Sequence, residues 1–300
     1  QMLEHIPHAR MVLCPMHYAG RGTEPYLLVM GEQLQPQIDL MWTGREICSS
    51  YLDISDAVIF ERSSRRPPFY WDNYPVNDGS MSHRLHIGPI TGREAGLHRY
   101  SAGLLANPSE LFECSLFPLS TVGDYLWSST TYDAMASWEM ALAKLVGDEN
   151  QKIPLRDFFR NSLGLSGSWA PDLNETIGSA AGAWRGGNLT AAAEILNNYS
   201  QRIRENHQVL SSESFYNLNL QRELNPWLEL YLKGSLWTRV MAEILNASKF
   251  DENGVPHAAT GAIELIRNIR REIFLEPYQL FGDGLDGVLR EIEVEFVFDL

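Results

Sequence analysis

Trp71-Asp72-Asn73-Tyr74-Pro75-Val76-Asn77-Asp78 closes a short apolar run, Phe69-Tyr70-Trp71, that follows Pro67-Pro68. It reads as the end of a strand and its following loop. The segment sets an indole, two amides and two carboxylates on one strand end. Working outward, the same arrangement recurs. Met11-Val12-Leu13-Cys14 ends at Pro15, Ile38 to Trp42 ends at Thr43-Gly44, and Gly103-Leu104-Leu105-Ala106 ends at Asn107-Pro108. Each run is short, mostly apolar and closed by turn residues, as a strand buried on both faces should be. Helical patterns separate them, from Pro25 to Leu34 and from Ile54 to Arg62, the latter with Asp53 or Ser55 near its start.

Alternation of this kind predicts βα units and a parallel sheet. The residues with chemical potential stand at or just after the C-terminal end of each strand, where (β/α)₈ barrels build their active sites. Four strands are half of such a barrel. A half barrel has two raw edges and an open core, so a missing N-terminal half of the barrel is the first expected partner.

After about residue 119 the pattern turns helical. Tyr125 to Leu145 places Trp127, Ala134, Trp138, Ala141 and Leu145 at helical spacing, and Ala191 to Leu210 carries Ile195, Leu196, Tyr199 and Ile203. Asn225-Pro226 reads as a helix opening, followed by an apolar stripe to about Asn246, and a further helix is expected from His257 to Phe274. Core packing accounts for these stripes. The fold class predicted is therefore α/β: the C-terminal half of a (β/α)₈ TIM barrel over residues 1–118, an all-α helical bundle domain over 119–280, and a turn with a terminal strand over 281–300.

Composition excludes several function classes. The chain has 300 residues and a net charge of −14. That disfavours nucleic acid and anionic membranes, which need basic surfaces. No apolar run approaches the roughly 18 residues of a membrane helix. The chain starts at Gln1 with no basic-then-apolar leader, and is expected to begin inside a longer protein. Cys14, Cys48 and Cys114 show no C-x-x-C spacing, so reduced, mostly buried thiols are expected, which leans toward a cytoplasmic location. The eight histidines include no H-E-x-x-H pair. No metal or organic cofactor is implied.

Carbohydrate sites need aromatic faces for the apolar side of a sugar, and amides and carboxylates for its hydroxyls. Trp71 to Asp78 offers these groups, but an Asp-Asn turn before proline is also a common structural turn. Resemblance separates the two readings. The segment resembles the motif of glycoside hydrolase family eighty-four, the O-GlcNAcases and related bacterial β-N-acetylglucosaminidases. Cys14-Pro15-Met16-His17-Tyr18-Ala19-Gly20 is similar to that family's Cys-Pro-Thr-x-Tyr-x-Gly strand end, and Leu40-Met41-Trp42-Thr43-Gly44 to its apolar-Trp-Thr-Gly strand. Gly88-Pro89, Gly92-Arg93 and Asn107-Pro108 resemble the stretch before and at its last barrel strand. The match covers about residues 9–110 in the family's order.

The resemblance implies removal of terminal β-linked N-acetylglucosamine, O-linked to serine or threonine of proteins or carried by related glycosides. It implies that Tyr18 bonds near the 2-acetamido group and that Trp71 walls the pocket for the acetyl methyl. Asn73 would lie beside the glycosidic oxygen and orient the general acid. Asp78 would bind O4 and O6, and Asn107 hydroxyls on the same side. Tyr18 and Asn73 are thus supporting catalytic residues; Tyr18, Trp71, Asn73, Asp78 and Asn107 are the substrate-binding set. The alternatives are a capped strand end for Tyr18, a packed tryptophan for Trp71 and turn-capping amides for Asn73 and Asn107. Asp78 stands apart, because a carboxylate ending a barrel loop needs a partner.

The family mechanism uses two adjacent aspartates for substrate-assisted, retaining hydrolysis, an exception to the scheme with a carboxylate nucleophile. No Asp-Asp pair occurs in the 300 residues. In the family the pair lies on a strand earlier than the Tyr18 segment, so it is expected outside this segment. A sugar-binding or interaction module without catalysis, or a hyaluronidase-like activity, is the alternative. The helical region would shape a groove for the aglycone, and a homodimer is a further expected assembly.

Overall fold

Four parallel strands carry the first part of the chain: β1, Met11–Leu13; β2, Ile38–Trp42; β3, Pro68–Asp72; and β4, Gly103–Ala106. They form one sheet in the order β1-β2-β3-β4. Met11 pairs with Ile38, Trp42 with Tyr70, and Trp71 with Leu105. The computed structural model describes residues 5–6, 9–162, 170–247, 249–250, 256–257, 260–275 and 277–281. Two compact units divide the chain, one of Gln1–Val76 with Pro89–Ala141 and the other of Asn77–Gly88 with Leu142–Leu300.

In the first unit, helices α1 (Pro25–Gln33) and α2 (Ile54–Ser64) fill the β-to-β connections, as the alternation predicts. Asp53 is the N-cap of α2, its carboxylate accepting from the Asp56 N–H at 2.6 Å. Leu40, Trp42 and Tyr70 lie on one face of the sheet and bury themselves with Leu27, Ala57 and Phe60 of the helices. The Trp42 and Phe60 rings stack at 4.9 Å. Strand alternation puts Val12, Met41, Trp71 and Leu105 on the opposite face.

That second face corrects an expectation. The strands are not all buried on both sides: Val12 is 37% and Leu105 52% exposed. A parallel sheet is buried on both sides only when layers cover both faces and neighbours flank its edges. Among the described residues β1 and β4 are edges, and helices cover one face. The cysteines follow this: Cys114 is buried, Cys48 intermediate and Cys14, just past the β1 edge, exposed. The three thiols are free, as expected, but only one of them is buried.

Helix α1 approaches α2 through Gly31, where a Cβ would lie 2.7 Å from both the carbonyl carbon and oxygen of Ser64. Backbone cannot swing away as a flexible side chain can. Gly31→Ala is therefore expected to lower stability by about 1–3 kcal/mol, even though alanine favours helix. A urea denaturation midpoint that rises instead would show that the two helices separate without cost.

The helix expected over Tyr125 to Leu145 is two: α3, Phe112–Trp127, and α4, Ala134–Leu145. Ser128-Ser129-Thr130-Thr131 interrupts them, because hydroxyl side chains compete for backbone hydrogen bonds. Asp133 restarts the helix by accepting from the Ala136 N–H at 2.9 Å.

The second unit is helical: α5, Glu149–Phe159; α6, Pro171–Arg185; α7, Leu189–Leu210; α8, Leu218–Ala247; and α9, Thr260–Leu275. Helix α7 lies along α8, α5 and α6 pack on α7, and α9 packs on α8. Ser200 and Ser235 are buried between α7 and α8, each hydroxyl donating to the other's carbonyl, at 2.8 and 3.1 Å. Asn225-Pro226 does not open a helix. Asn217 caps α8 eight residues earlier, accepting from the Asn219 and Leu220 N–H groups at 3.0 and 3.1 Å. Leu220, Leu224, Trp227, Leu228 and Tyr231 form one continuous buried stripe, and its packing carries the helix through Pro226. A short pairing of β5 (Lys249–Phe250) with β6 (Pro256–His257) precedes α9. The turn and terminal strand expected over 281–300 lie, past Phe281, outside the described residues.

Candidate site at the C-terminal ends of the strands

Asn73 follows β3 directly, Asn107 follows β4 directly, Thr43 follows β2 directly, and Tyr18 stands five residues past β1. These are the positions from which parallel sheets project functional groups. The structure brings Tyr18 onto Trp71, their rings stacked with centroids 6.0 Å apart and planes 27° from parallel. Both side chains are half-buried. The Tyr18 carbonyl is fixed by Thr43, whose N–H donates to it at 2.8 Å and whose hydroxyl lies 3.2 Å away. Among the described residues the Tyr18 hydroxyl has no partner.

Asn73 and Asn107 are also brought together. Asn107 Nδ2 donates to Asn73 Oδ1 at 3.0 Å, and Asn73 Nδ2 donates to the Ile47 carbonyl at 2.7 Å. Both ends of the Asn73 amide are thereby engaged, which fixes its plane. The Asn107 backbone ties the same strand ends, its N–H donating to the Asp72 carbonyl at 2.9 Å and its carbonyl accepting from Val76 at 3.0 Å.

Beneath Asn73 lies a pair that the sequence did not reveal. Strand alternation sends Asp72 to the buried face with Tyr70, and Arg93 meets it there with two hydrogen bonds. Arg93 Nε donates to Asp72 Oδ2 at 2.8 Å, and Nη2 donates to Oδ1. Each side chain is 2% exposed. Arg93 Nη1 also donates to the carbonyls of Ser50, at 3.2 Å, and Thr91, at 2.8 Å. Backbone bonds run beside it, Leu52 N–H to the Gly92 carbonyl and Glu94 N–H to the Leu52 carbonyl. Only glycine fits at position 92, where a Cβ would fall 2.0 Å from the Ser50 oxygen on a backbone with φ of +74°. One signal could have exposed the pair: a carboxylate at a buried strand position demands a cation.

Neighbouring phenols stay neutral. Burial pushes the Tyr74 phenol far up, with the Arg93 charge pulling it down. Burial likewise pushes Tyr125 up to about 12, and its hydroxyl donates to the Glu94 carbonyl at 3.0 Å.

Asp78 belongs to the other compact unit, in the segment Asn77–Gly88. It opens a 3-10 turn over Gly79–Met81 and its side chain makes no capping hydrogen bond. Within that unit the segment is tied to α8 by Trp227 Nε1 donating to the His83 carbonyl at 3.3 Å. Asp78 is exposed, so its carboxylate is open to a partner from outside the chain. Among the described residues no group of His, Cys, Asp and Glu could hold a metal ion.

Comparison with known proteins points to one family. The model of the beta-N-acetylglucosaminidase family fits residues 1–160. The Protein O-GlcNAcase of Rattus norvegicus is 31% identical over 124 residues, 39% of this chain and 13% of that protein. The Protein O-GlcNAcase of Mus musculus gives the same figures. The chain thus spans a small part of these relatives. A solved structure of a Thermobaculum terrenum O-GlcNAc hydrolase mutant is similar with a TM-score of 0.82 and 27% identity, over 97% of this chain and 63% of that one. The family match takes in more than half of the chain, so this protein belongs to the beta-N-acetylglucosaminidase family, the glycoside hydrolase family of the O-GlcNAcases.

Proposed function

We propose that the chain supplies the sugar-recognition side of a glycosidase that removes terminal β-linked N-acetylglucosamine, from serine or threonine of proteins or from related glycosides. The observation that carries this reading is the joint placement of two pairs at the strand ends. Tyr18 stacks on Trp71, and Asn73 is held rigidly by Asn107 and Ile47. One pair offers an apolar wall and an unpaired hydroxyl for an acetamide. The other offers amides in a fixed plane for hydroxyl and glycosidic oxygens.

In this reading hydrolysis is substrate-assisted. The substrate's own acetamide oxygen attacks the anomeric carbon, and configuration is retained after water opens the intermediate. Tyr18 hydrogen-bonds near the acetamide, Trp71 encloses its methyl, and Asn73 orients the general acid beside the leaving oxygen. Asp78 and Asn107 bind the outer hydroxyls. The two catalytic aspartates come from residues other than these 300, as part of a barrel half that completes the sheet. Support for a completing half comes from Val12 and Leu105, exposed on the face that carries Trp71. The helices from α5 to α9 form a bundle domain in the same reading.

The test uses the full-length protein and a chromogenic β-N-acetylglucosaminide. Hydrolysis is expected there and not on hyaluronan. Asp78→Ala is expected to weaken substrate affinity about tenfold or more, since hydrogen bonds to a charged group are among the stronger ones. Unchanged affinity would remove Asp78 from the pocket. No hydrolysis of either substrate, with N-acetylglucosamine still bound, would favour a sugar-binding module.

A further inference from the structure

We propose that Arg93 is a positioning residue for the site: through Asp72 it sets the angle at which Asn73 leaves β3. The proposal rests on the reading of Asn73 as the group beside the glycosidic oxygen. Arg93 makes four hydrogen bonds to three segments. Two go to the Asp72 carboxylate at the end of β3, one to Ser50 in the loop after β2, and one to Thr91 in the loop before β4. Asp72 is the residue immediately before Asn73, and its backbone carbonyl is bonded to Asn107. Both of the segments that hold the Asn73 amide therefore meet at Asp72 or lie beside the loop that Arg93 pins. Ile47 stands in the same loop as Ser50, and Asn107 directly follows the strand that comes after the Thr91 loop.

The chemistry requires a guanidinium. Its planar fork engages a carboxylate at two points and still has N–H groups for two carbonyls. An ammonium of the same charge can neutralise Asp72 but cannot hold all three segments at fixed angles. Rotation of the Asp72–Asn73 peptide would move the Asn73 amide away from the leaving oxygen while leaving the Tyr18–Trp71 wall in place. The effect therefore belongs to turnover rather than to binding.

The experiment is a double-mutant cycle on the full-length protein with a chromogenic β-N-acetylglucosaminide. Arg93→Lys is expected to lower kcat by roughly ten- to a hundredfold, the scale of an ångström-level misplacement, with KM within about threefold. In an Asn73→Ala background the same change is expected to lower kcat by less than about threefold, because the group it positions is gone. Equal losses in both backgrounds, or an unchanged kcat in folded Arg93→Lys, overturn the proposal. An Asn73→Ala protein with unchanged kcat overturns the underlying reading of Asn73 instead. Should Arg93→Lys not accumulate as folded protein, the paired variant Asp72→Asn/Arg93→Gln removes both charges together and carries the same expectations.

Discussion

Arg93→Met is expected to lower the stability of this chain by about 3–5 kcal/mol, the usual consequence of stranding a buried charge. The carboxylate of Asp72 is 2% exposed, as is its partner. With the guanidinium gone, water cannot reach that carboxylate to compensate, and the Ser50 and Thr91 carbonyls lose donors as well. Asp72→Leu/Arg93→Met, which removes both charges, should be less destabilised than Arg93→Met alone, because desolvation of two ions offsets most of their attraction. Urea unfolding followed by tryptophan fluorescence reads both variants. A loss under about 1 kcal/mol for Arg93→Met would mean that water enters and that the pair holds little.

The pair also marks how far the sequence could be read. Strand positions were legible because each apolar run ends in Pro, Gly or Asn, and β2 and β4 have the expected bounds. Their exposure was not legible, since the burial of Val12 and Leu105 depends on what lies across the sheet. The break between α3 and α4 was visible in principle, because four hydroxyl residues in a row oppose a helix interior. The apolar spacing from Trp127 to Trp138 hid it. At Pro226 the error ran the other way: a local breaker was overruled by the buried stripe from Leu220 to Tyr231.

Site residues divide along a similar line. Tyr18, Trp71, Asn73 and Asn107 are singled out by resemblance to the family's motifs, since strand-end position alone leaves a structural turn equally open. That Tyr18 meets Trp71, and Asn107 meets Asn73, follows only from the register that sets Trp71 beside Leu105 and Trp42 beside Tyr70. Arg93 lies 21 residues from Asp72, outside the four strands and held by an isolated bridge to Leu52, so no periodicity links them. For Asp78 the sequence asked for a partner to the carboxylate, and its exposed loop position leaves that carboxylate free to meet one.

Trp71→Ala is expected to lower kcat/KM for a β-N-acetylglucosaminide by about a hundredfold, with the protein still folded. Trp71 is half-buried and lies on the open face of the sheet, opposite Tyr70 and Trp42 of the core. Its loss removes a stack with Tyr18 worth about 0.5–1.5 kcal/mol, a modest cost to the fold. For the substrate the loss is larger in effect. One methyl in a well-formed apolar pocket is worth about 1–3 kcal/mol, or roughly 10–200-fold. The indole also stacks on the Tyr18 ring, so under the proposed function both contacts to the acetamide should weaken together. Trp71→Phe keeps an aromatic face and should retain most of the activity. The decisive comparison is between the N-acetyl substrate and an N-propionyl analogue. Removing the indole enlarges the wall of the pocket, so the loss should be clearly smaller for the longer acyl chain. Equal losses on the two substrates would place Trp71 away from the acyl group and leave it a packing residue of the sheet.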